Sequence, residues 1–131
     1  MLQRHTLILV VEDDEDLRES LRQNLEDEGF DVFTATQGEE ALGLLTSRDR
    51  PGLILLDMMV MDGKEFLSRL RKDPDLRRIP VVGTSASATT TRPAGVRGFL
   101  RKPFGLARLL EVLEEYADRL PACAHPGTAS R

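Results

Sequence analysis

Apolar and polar positions along the chain change period several times, and each change marks an element. Leu7-Ile-Leu-Val-Val11 is an unbroken run of branched apolar residues ending in Glu12, Asp13 and Asp14, the mark of a strand buried on both faces. From Glu15 the period lengthens. Leu17, Leu21 and Leu25 recur four apart on one face, and Gly29 supplies a stop, which predicts a helix. Phe30 to Ala35 alternates around Phe30 and Val32, with a less regular Phe33, and reads as a half-buried second strand. Ala41, Leu42, Leu44 and Leu45 predict a second helix over Gly38 to Arg48, closed by Pro51-Gly52. Leu53-Ile-Leu-Leu56 is a third strand, as purely apolar as the first, and it too ends in an acid, Asp57.

Phe66, Leu67 and Leu70 place a helix over Gly63 to Lys72, stopped at Asp73-Pro74, since a residue before proline is driven out of helical geometry. Ile79 to Gly83 and Phe99 to Arg101 predict two further strands. Leu106, Leu109, Leu110, Leu113 and Leu120 form the stripe of a last helix, from Gly105 to about Arg119. Pro121 to Arg131 is small and polar, expected as a flexible C-terminal tail beyond a single domain over residues 1–120. Strands alternating with helices through short links imply right-handed crossovers and a parallel sheet covered on both faces. The fold expected is α/β, a flavodoxin-like doubly wound five-stranded parallel sheet in the order 2-1-3-4-5, with the two purest apolar strands central.

With 131 residues, 40% of them hydrophobic and 31% charged, the chain has the makings of one ordinary core and is not generally disordered. Eighteen basic against 22 acidic residues leave a net charge of −4, which speaks against nucleic acid or an anionic membrane as the main partner. The one cysteine, Cys123, excludes an intramolecular disulfide and fits a reducing compartment. The run Leu7–Val11 is far too short to span a membrane, and no cleavage signal follows it. A cytoplasmic protein is expected.

In a doubly wound sheet the ligand site lies beyond the carboxyl ends of the strands, at the switch point between strands one and three. Glu12, Asp13 and Asp14 end the first strand and Asp57 ends the third. Neighbouring strands are about 4.8 Å apart, so these acids converge on one crevice. Clustered carboxylates repel one another unless a cation joins them. Oxygen-only ligands suit Mg²⁺, which also meets substrate phosphate. The same edge supplies Thr84 and Ser85 after the fourth strand and Lys102 after the fifth. A hydroxyl, an ammonium and a hard cation around one carboxylate are the requirements of phosphoryl transfer.

These residues resemble the receiver domains of bacterial two-component response regulators. The resemblance covers Leu7 to about Leu120. It rests on LILVVEDDEDLR, on LILLDMM with Asp57, on Asp62-Gly63, on IPVVGTSA with Ser85, and on RKPF with Lys102-Pro103. It implies that Asp57 accepts a phosphoryl group from a sensor histidine kinase, a phosphotransfer protein or a small phosphodonor. Asp13 would ligate Mg²⁺ directly, Glu12 through water, and the Met59 backbone carbonyl would be the third protein ligand. Ser85 matches the switch hydroxyl, Lys102 the phosphate-pairing ammonium, Phe99 the switch aromatic and Pro103 a cis-proline. Such a domain is no enzyme in the ordinary sense; it catalyses only its own phosphorylation and dephosphorylation.

Simpler roles compete at other positions. Asp14 reads as a helix cap, Glu15 and Asp16 as first-turn charges, and Met58, Met59 and Met61 as adaptable packing. Phe99 could equally be plain core, and His5 and His125 have no partners at ligand spacing.

Two stretches depart from the family. The link from Asp57 to Asp62-Gly63 is about two residues shorter than usual and lacks its proline. The stretch from Ser85 to Lys102 is about five residues shorter. Its middle, Ser87 to Arg97, holds three consecutive threonines, Pro93 and Gly95, so the fourth helix is expected to be degenerate or missing, at most a single turn in a mobile loop. With nothing long beyond Leu120, the leading expectation is a single-domain, monomeric receiver that signals by binding an output protein. The alternative is a pseudo-receiver scaffold that binds without phosphorylation. A flavin mononucleotide carrier is excluded by the three acids where a phosphate loop would stand. A haloacid-type phosphatase is excluded because no Asp-x-Asp pair ends the first strand.

Overall fold

The computed structural model describes residues 6–47, 49–87 and 92–117. Five parallel strands, β1 (Leu7–Val11), β2 (Asp31–Ala35), β3 (Leu53–Asp57), β4 (Val81–Ser85) and β5 (Gly98–Arg101), form one sheet in the order β2-β1-β3-β4-β5. Helices α1 (Glu15–Asp27), α2 (Gly38–Ser47), α3 (Gly63–Lys72) and α4 (Leu106–Ala117) cover its faces, and a single 3₁₀ turn, Leu76–Arg78, leads into β4. The sheet order is the one the alternating pattern predicts. Among the described residues no helix is long and apolar enough to cross a membrane.

Alternation along the strands sorts the core into two layers. Leu9, Val11, Ile54, Leu56 and Val81 face α2 and α3, where Ala41, Leu45, Phe66 and Leu70 meet them. Ile8, Val10, Leu53, Leu55 and Val82 face α1 and α4, against Leu21, Leu25, Leu109, Val112 and Leu113. Strand β2, although at the edge, is covered on both sides: Phe33 and Ala35 pack towards α2, Phe30 and Val32 towards α1. Phe33 was irregular only on the assumption of one buried face.

Several boundaries differ from the pattern-based ones. Strand β4 begins two residues later than Ile79, because Ile79 closes the 3₁₀ turn, its N–H donating to Leu76 O, and Pro80 has no N–H to give a ladder. The strand then continues through Thr84 and Ser85, which pair with Asp57 and Arg101. Both hydroxyl residues therefore belong to β4 rather than following it, and Asp57 is the last residue of β3. Helix α1 is capped as read, with Leu17 N–H donating to Asp14 Oδ1 at 3.1 Å, and Gly29 takes up a left-handed φ of 101° at its end.

The link between β4 and β5 holds no helix among its described residues. Pro93 to Val96 forms a tight turn, with Val96 N–H donating to Pro93 O at 3.2 Å and Gly95 at φ 94°. Val96 is buried in the α2–α3 layer. The expected tail at 121–131, the end of the last helix with Leu120, Cys123, His5, His125 and the threonine run lie outside the described residues.

Candidate functional site

The carboxyl ends of β1, β3, β4 and β5 meet in one place. Glu12 follows β1 directly, its N–H donating to Ala35 O at 3.0 Å, and is only 2% exposed, like Asp57. Glu12 Oε2 accepts the Asp14 N–H at 3.1 Å and Oε1 accepts Lys102 Nζ at 3.0 Å. The same ammonium stands 3.5 Å from Asp57 Oδ1, which also accepts the Met59 N–H at 3.0 Å. Glu12, Asp13 and Asp57 each offer a carboxylate oxygen, all within 4.8 Å of one another, with Asp13 on the solvent side. Ser85 is buried at the end of β4, and its Oγ accepts the Ser87 N–H at 3.1 Å. Its carbonyl accepts the Lys102 N–H at 2.8 Å, which ties Lys102 to the site through the sheet. The Lys102–Pro103 peptide bond is cis.

Electrostatics follows from this crowding. Burial, the largest influence, raises the Glu12 carboxyl above its ordinary range, and Asp57 pushes it the same way; the Asp14 amide and the Lys102 ammonium offset only part. Burial alone would lower the Lys102 ammonium, but its hydrogen bond to Glu12 and the field of Asp57 outweigh it and hold it above its usual value. Three carboxylates against one ammonium leave an excess of negative charge on an all-oxygen donor set. That set fits a hard divalent cation of the Mg²⁺ type.

The structure thus brings together Glu12, Asp13, Asp57, Ser85 and Lys102. Phe99 is half-buried one strand away. Its ring and the Met58 thioether lie over Gly83, where an added Cβ would sit 2.6 Å from Phe99 Cε1 and 2.7 Å from Met58 Sδ. Of the three methionines read as packing, only Met58 packs. Met59 is 69% exposed and Met61 fully exposed. The short β3–α3 loop forces them out: Val60 N–H donates to Asp57 O and Gly63 N–H to Val60 O, two successive turns pivoting on buried Val60.

Two residues escaped the sequence reading. The Asp62 carboxylate accepts the N–H groups of Gly38 at 2.7 Å and Glu39 at 2.9 Å, so the start of α3 caps the start of α2. Arg18, one turn into α1, donates to the Glu12 and Asp13 carbonyls at 2.9 and 3.4 Å. The Asp62-Gly63 pair stood out only as a piece of the family resemblance; a cap bridging 24 residues leaves no local signal, nor does an arginine reaching back to main-chain oxygens.

Comparison with known proteins agrees with this arrangement. The family model for the response regulator receiver domain matches residues 8–114. The response regulator MprA of Mycolicibacterium vanbaalenii is 42% identical over 109 residues, 79% of this chain and 46% of the relative, so the chain spans about half the length of that protein. A 14.6 kDa protein of Leptolyngbya boryana is 37% identical over 121 residues, covering 87% of this chain and 92% of its own. Among solved structures, the receiver domain of a Pseudomonas aeruginosa sensor histidine kinase, with a magnesium ion coordinated in its active-site cleft, superposes with a TM-score of 0.79 at 25% identity, over 86% of this chain and 98% of that one. A Francisella response-regulator receiver domain gives 0.76 at 28% identity, over 87% and 98%. A buried acid pair bridged by a lysine, an acid-rich cation site, a doubly wound sheet and a family match over most of its length lead to one conclusion: this chain belongs to the response regulator receiver domain family, and is a signalling domain rather than an enzyme in the ordinary sense.

Proposed function

We propose that Asp57 accepts a phosphoryl group from the phosphohistidine of a sensor kinase or phosphotransfer protein and that the domain relays the change by protein–protein contact. The observation that carries this reading is the lysine bridge: one ammonium 3.0 Å from Glu12 and 3.5 Å from Asp57, at the mouth where Ser85 also ends. A carboxylate oxygen of Asp57 forms the new O–P bond as the P–N bond of the donor breaks and the imidazole leaves with its electron pair. The Met59 amide fixes the Asp57 carboxylate for in-line approach. Lys102 turns from the acid pair to the incoming phosphoryl oxygens, a charge-assisted contact with no reorganisation of backbone. Ser85 offers its hydroxyl to the same oxygens, giving up the Ser87 amide, and Phe99, seated over Gly83, senses the displacement of β4.

Glu12, Asp13 and Asp57, with the Met59 carbonyl, would hold Mg²⁺, which when bound neutralises the charge that gathers on the phosphoryl oxygens. Intact-mass measurement after incubation with a small acyl phosphate tests the reading. A gain of one phosphoryl group that requires Mg²⁺ and is lost in Asp57→Asn is expected. A gain that persists in Asp57→Asn would place the phosphoryl group on another residue and rule the reading out; no gain at any Mg²⁺ concentration would also rule it out and favour a scaffold that binds without phosphorylation.

A further inference from the structure

Charge is unevenly placed along this chain. Residues 1–63 hold 15 acidic and five basic side chains, whereas Lys64 to Arg101 hold nine basic and three acidic ones. A protein of net charge −4 therefore carries one strongly positive region. The fold brings part of it together: Arg71 and Arg77 line one hollow, and Gly95 of the β4–β5 link lies against Arg71. The last turn of α3 presents Arg69, Arg71 and Lys72, and the 3₁₀ turn adds Arg77 and Arg78. The returning β4–β5 link adds Arg92 and Arg97: Arg97 N–H donates to Val81 O at 2.8 Å and Arg92 Nη1 to Arg97 O at 2.9 Å. All seven side chains are exposed, and none is ion-paired with a carboxylate among the described residues. A favourable meeting with the helix dipole accounts for the three on α3, but not for the four beyond it.

The same surface has a gap in its cover. On this face α2 and α3 lie over β1 and β3, and Leu67 and Leu70 of α3 reach only the start of β4 at Val81; beyond it Met58, Phe99 and the 93–97 turn supply the cover, and no helix lies over β5 on this face among the described residues. Between them opens a small cavity of about 20 Å³, floored by Leu67, Leu70, Ile79 and Val81 and rimmed by Arg71 and Arg77. That is room for the tip of one apolar side chain. The surface lies at the amino-terminal ends of β4 and β5, away from Asp57 and Ser85 at the carboxyl ends.

We propose that this surface docks an acidic, amphipathic helical segment of a partner protein, one apolar side chain entering the cavity and carboxylates meeting the arginine rim. An apolar floor inside a cationic rim calls for that pairing of chemistries. Nucleic acid would gain nothing from the leucine floor and would be repelled by the acidic remainder of the domain. A second copy would have to offer a different, acidic face, a head-to-tail contact that builds rings or filaments and not the common two-fold dimer. The proposal stands on charge and coverage and is independent of phosphorylation at Asp57.

Amide chemical-shift mapping on the whole chain tests it. The probe is a synthetic peptide of about five helical turns with a leucine stripe and glutamate elsewhere. A scrambled peptide of equal composition and a short DNA duplex are the controls. Shifts centred on Leu70, Arg71, Arg77, Gly95 and Arg97 are expected, with binding weakened about tenfold or more by the triple reversal R71E/R77E/R97E. Should the reversal disturb the circular dichroism spectrum, the neutral triple R71Q/R77Q/R97Q serves, with a smaller loss expected. Absent or displaced shifts, equal binding of the scrambled peptide, or tighter binding of the duplex at the same amides would each overturn the proposal.

Discussion

Replacing Asp62 by alanine removes the carboxylate that caps the start of α2. Two N–H groups lose their acceptor, Gly38 at 2.7 Å and Glu39 at 2.9 Å. Gly38 is buried, and a donor left buried without a partner costs about 1–3 kcal/mol. Glu39 is exposed and recovers most of its loss from water, at about 0.5 kcal/mol. The sum, about 1.5–3.5 kcal/mol, reaches beyond the upper end of ordinary N-cap losses, because this cap also ties the α3 end of the short β3–α3 loop to α2. For a domain of this size that lowers Tm by roughly 5–13 °C. Asp62→Asn keeps one acceptor oxygen and should lose about half as much. Urea and thermal denaturation of the three proteins at matched pH and salt provide the comparison. If Asp62→Ala lies within about 0.5 kcal/mol of the parent, or if asparagine and alanine behave alike, the cap is not what holds the two helix starts together.

Three further outcomes follow from the site. Lys102→Met leaves Glu12 and Asp57 facing each other without their ammonium, and should cost about 2–3 kcal/mol near neutral pH, less than a fully buried pair because Lys102 is partly exposed; added Mg²⁺ should restore part of it, and an equally stable variant in urea would contradict the bridge. Glu12 has a folded pKa above its ordinary 4.5, so the folded state holds the proton more tightly than the unfolded one; metal-free stability is expected to fall as pH rises from about 4.5 through the folded value, and Glu12→Gln should flatten that slope in urea midpoints. Gly83→Ala would drive a Cβ into Phe99 and Met58 and should cost about 1–3 kcal/mol, with Phe99→Leu recovering part in a double-mutant cycle; strict additivity would show that the ring is not seated there.

Much of this was legible in the chain. The runs Leu7–Val11 and Leu53–Leu56 announced central strands, because only a strand covered on both faces stays apolar throughout, and both end in the acids that form the site. Asp57, Glu12, Asp13, Ser85 and Lys102 could be named because a parallel sheet places the ends of its strands at one edge. Their grouping is a consequence of strand order, which the alternation of elements already sets. Asp14 likewise behaves as its local pattern demands, since a cap needs only its own neighbours.

Elsewhere the chain's local pattern was silent or misleading. Ile79 looked like strand, but Pro80 and the 3₁₀ turn moved the start of β4, and pairing with β3 and β5 carried it on to Ser85. Met59 and Met61 looked like core by composition and are exposed, because the two tight turns about Val60 leave them no interior to enter. The periodicities and acidic strand ends, each encoded by residues a few places apart, were determined by the sequence itself. Tertiary structure alone decided the cap from Asp62 to Gly38, the seat of Phe99 over Gly83, and the single ammonium shared by Glu12 and Asp57 from 90 and 45 positions away in the chain. Such contacts form only where packing brings distant segments together, and no local period records them.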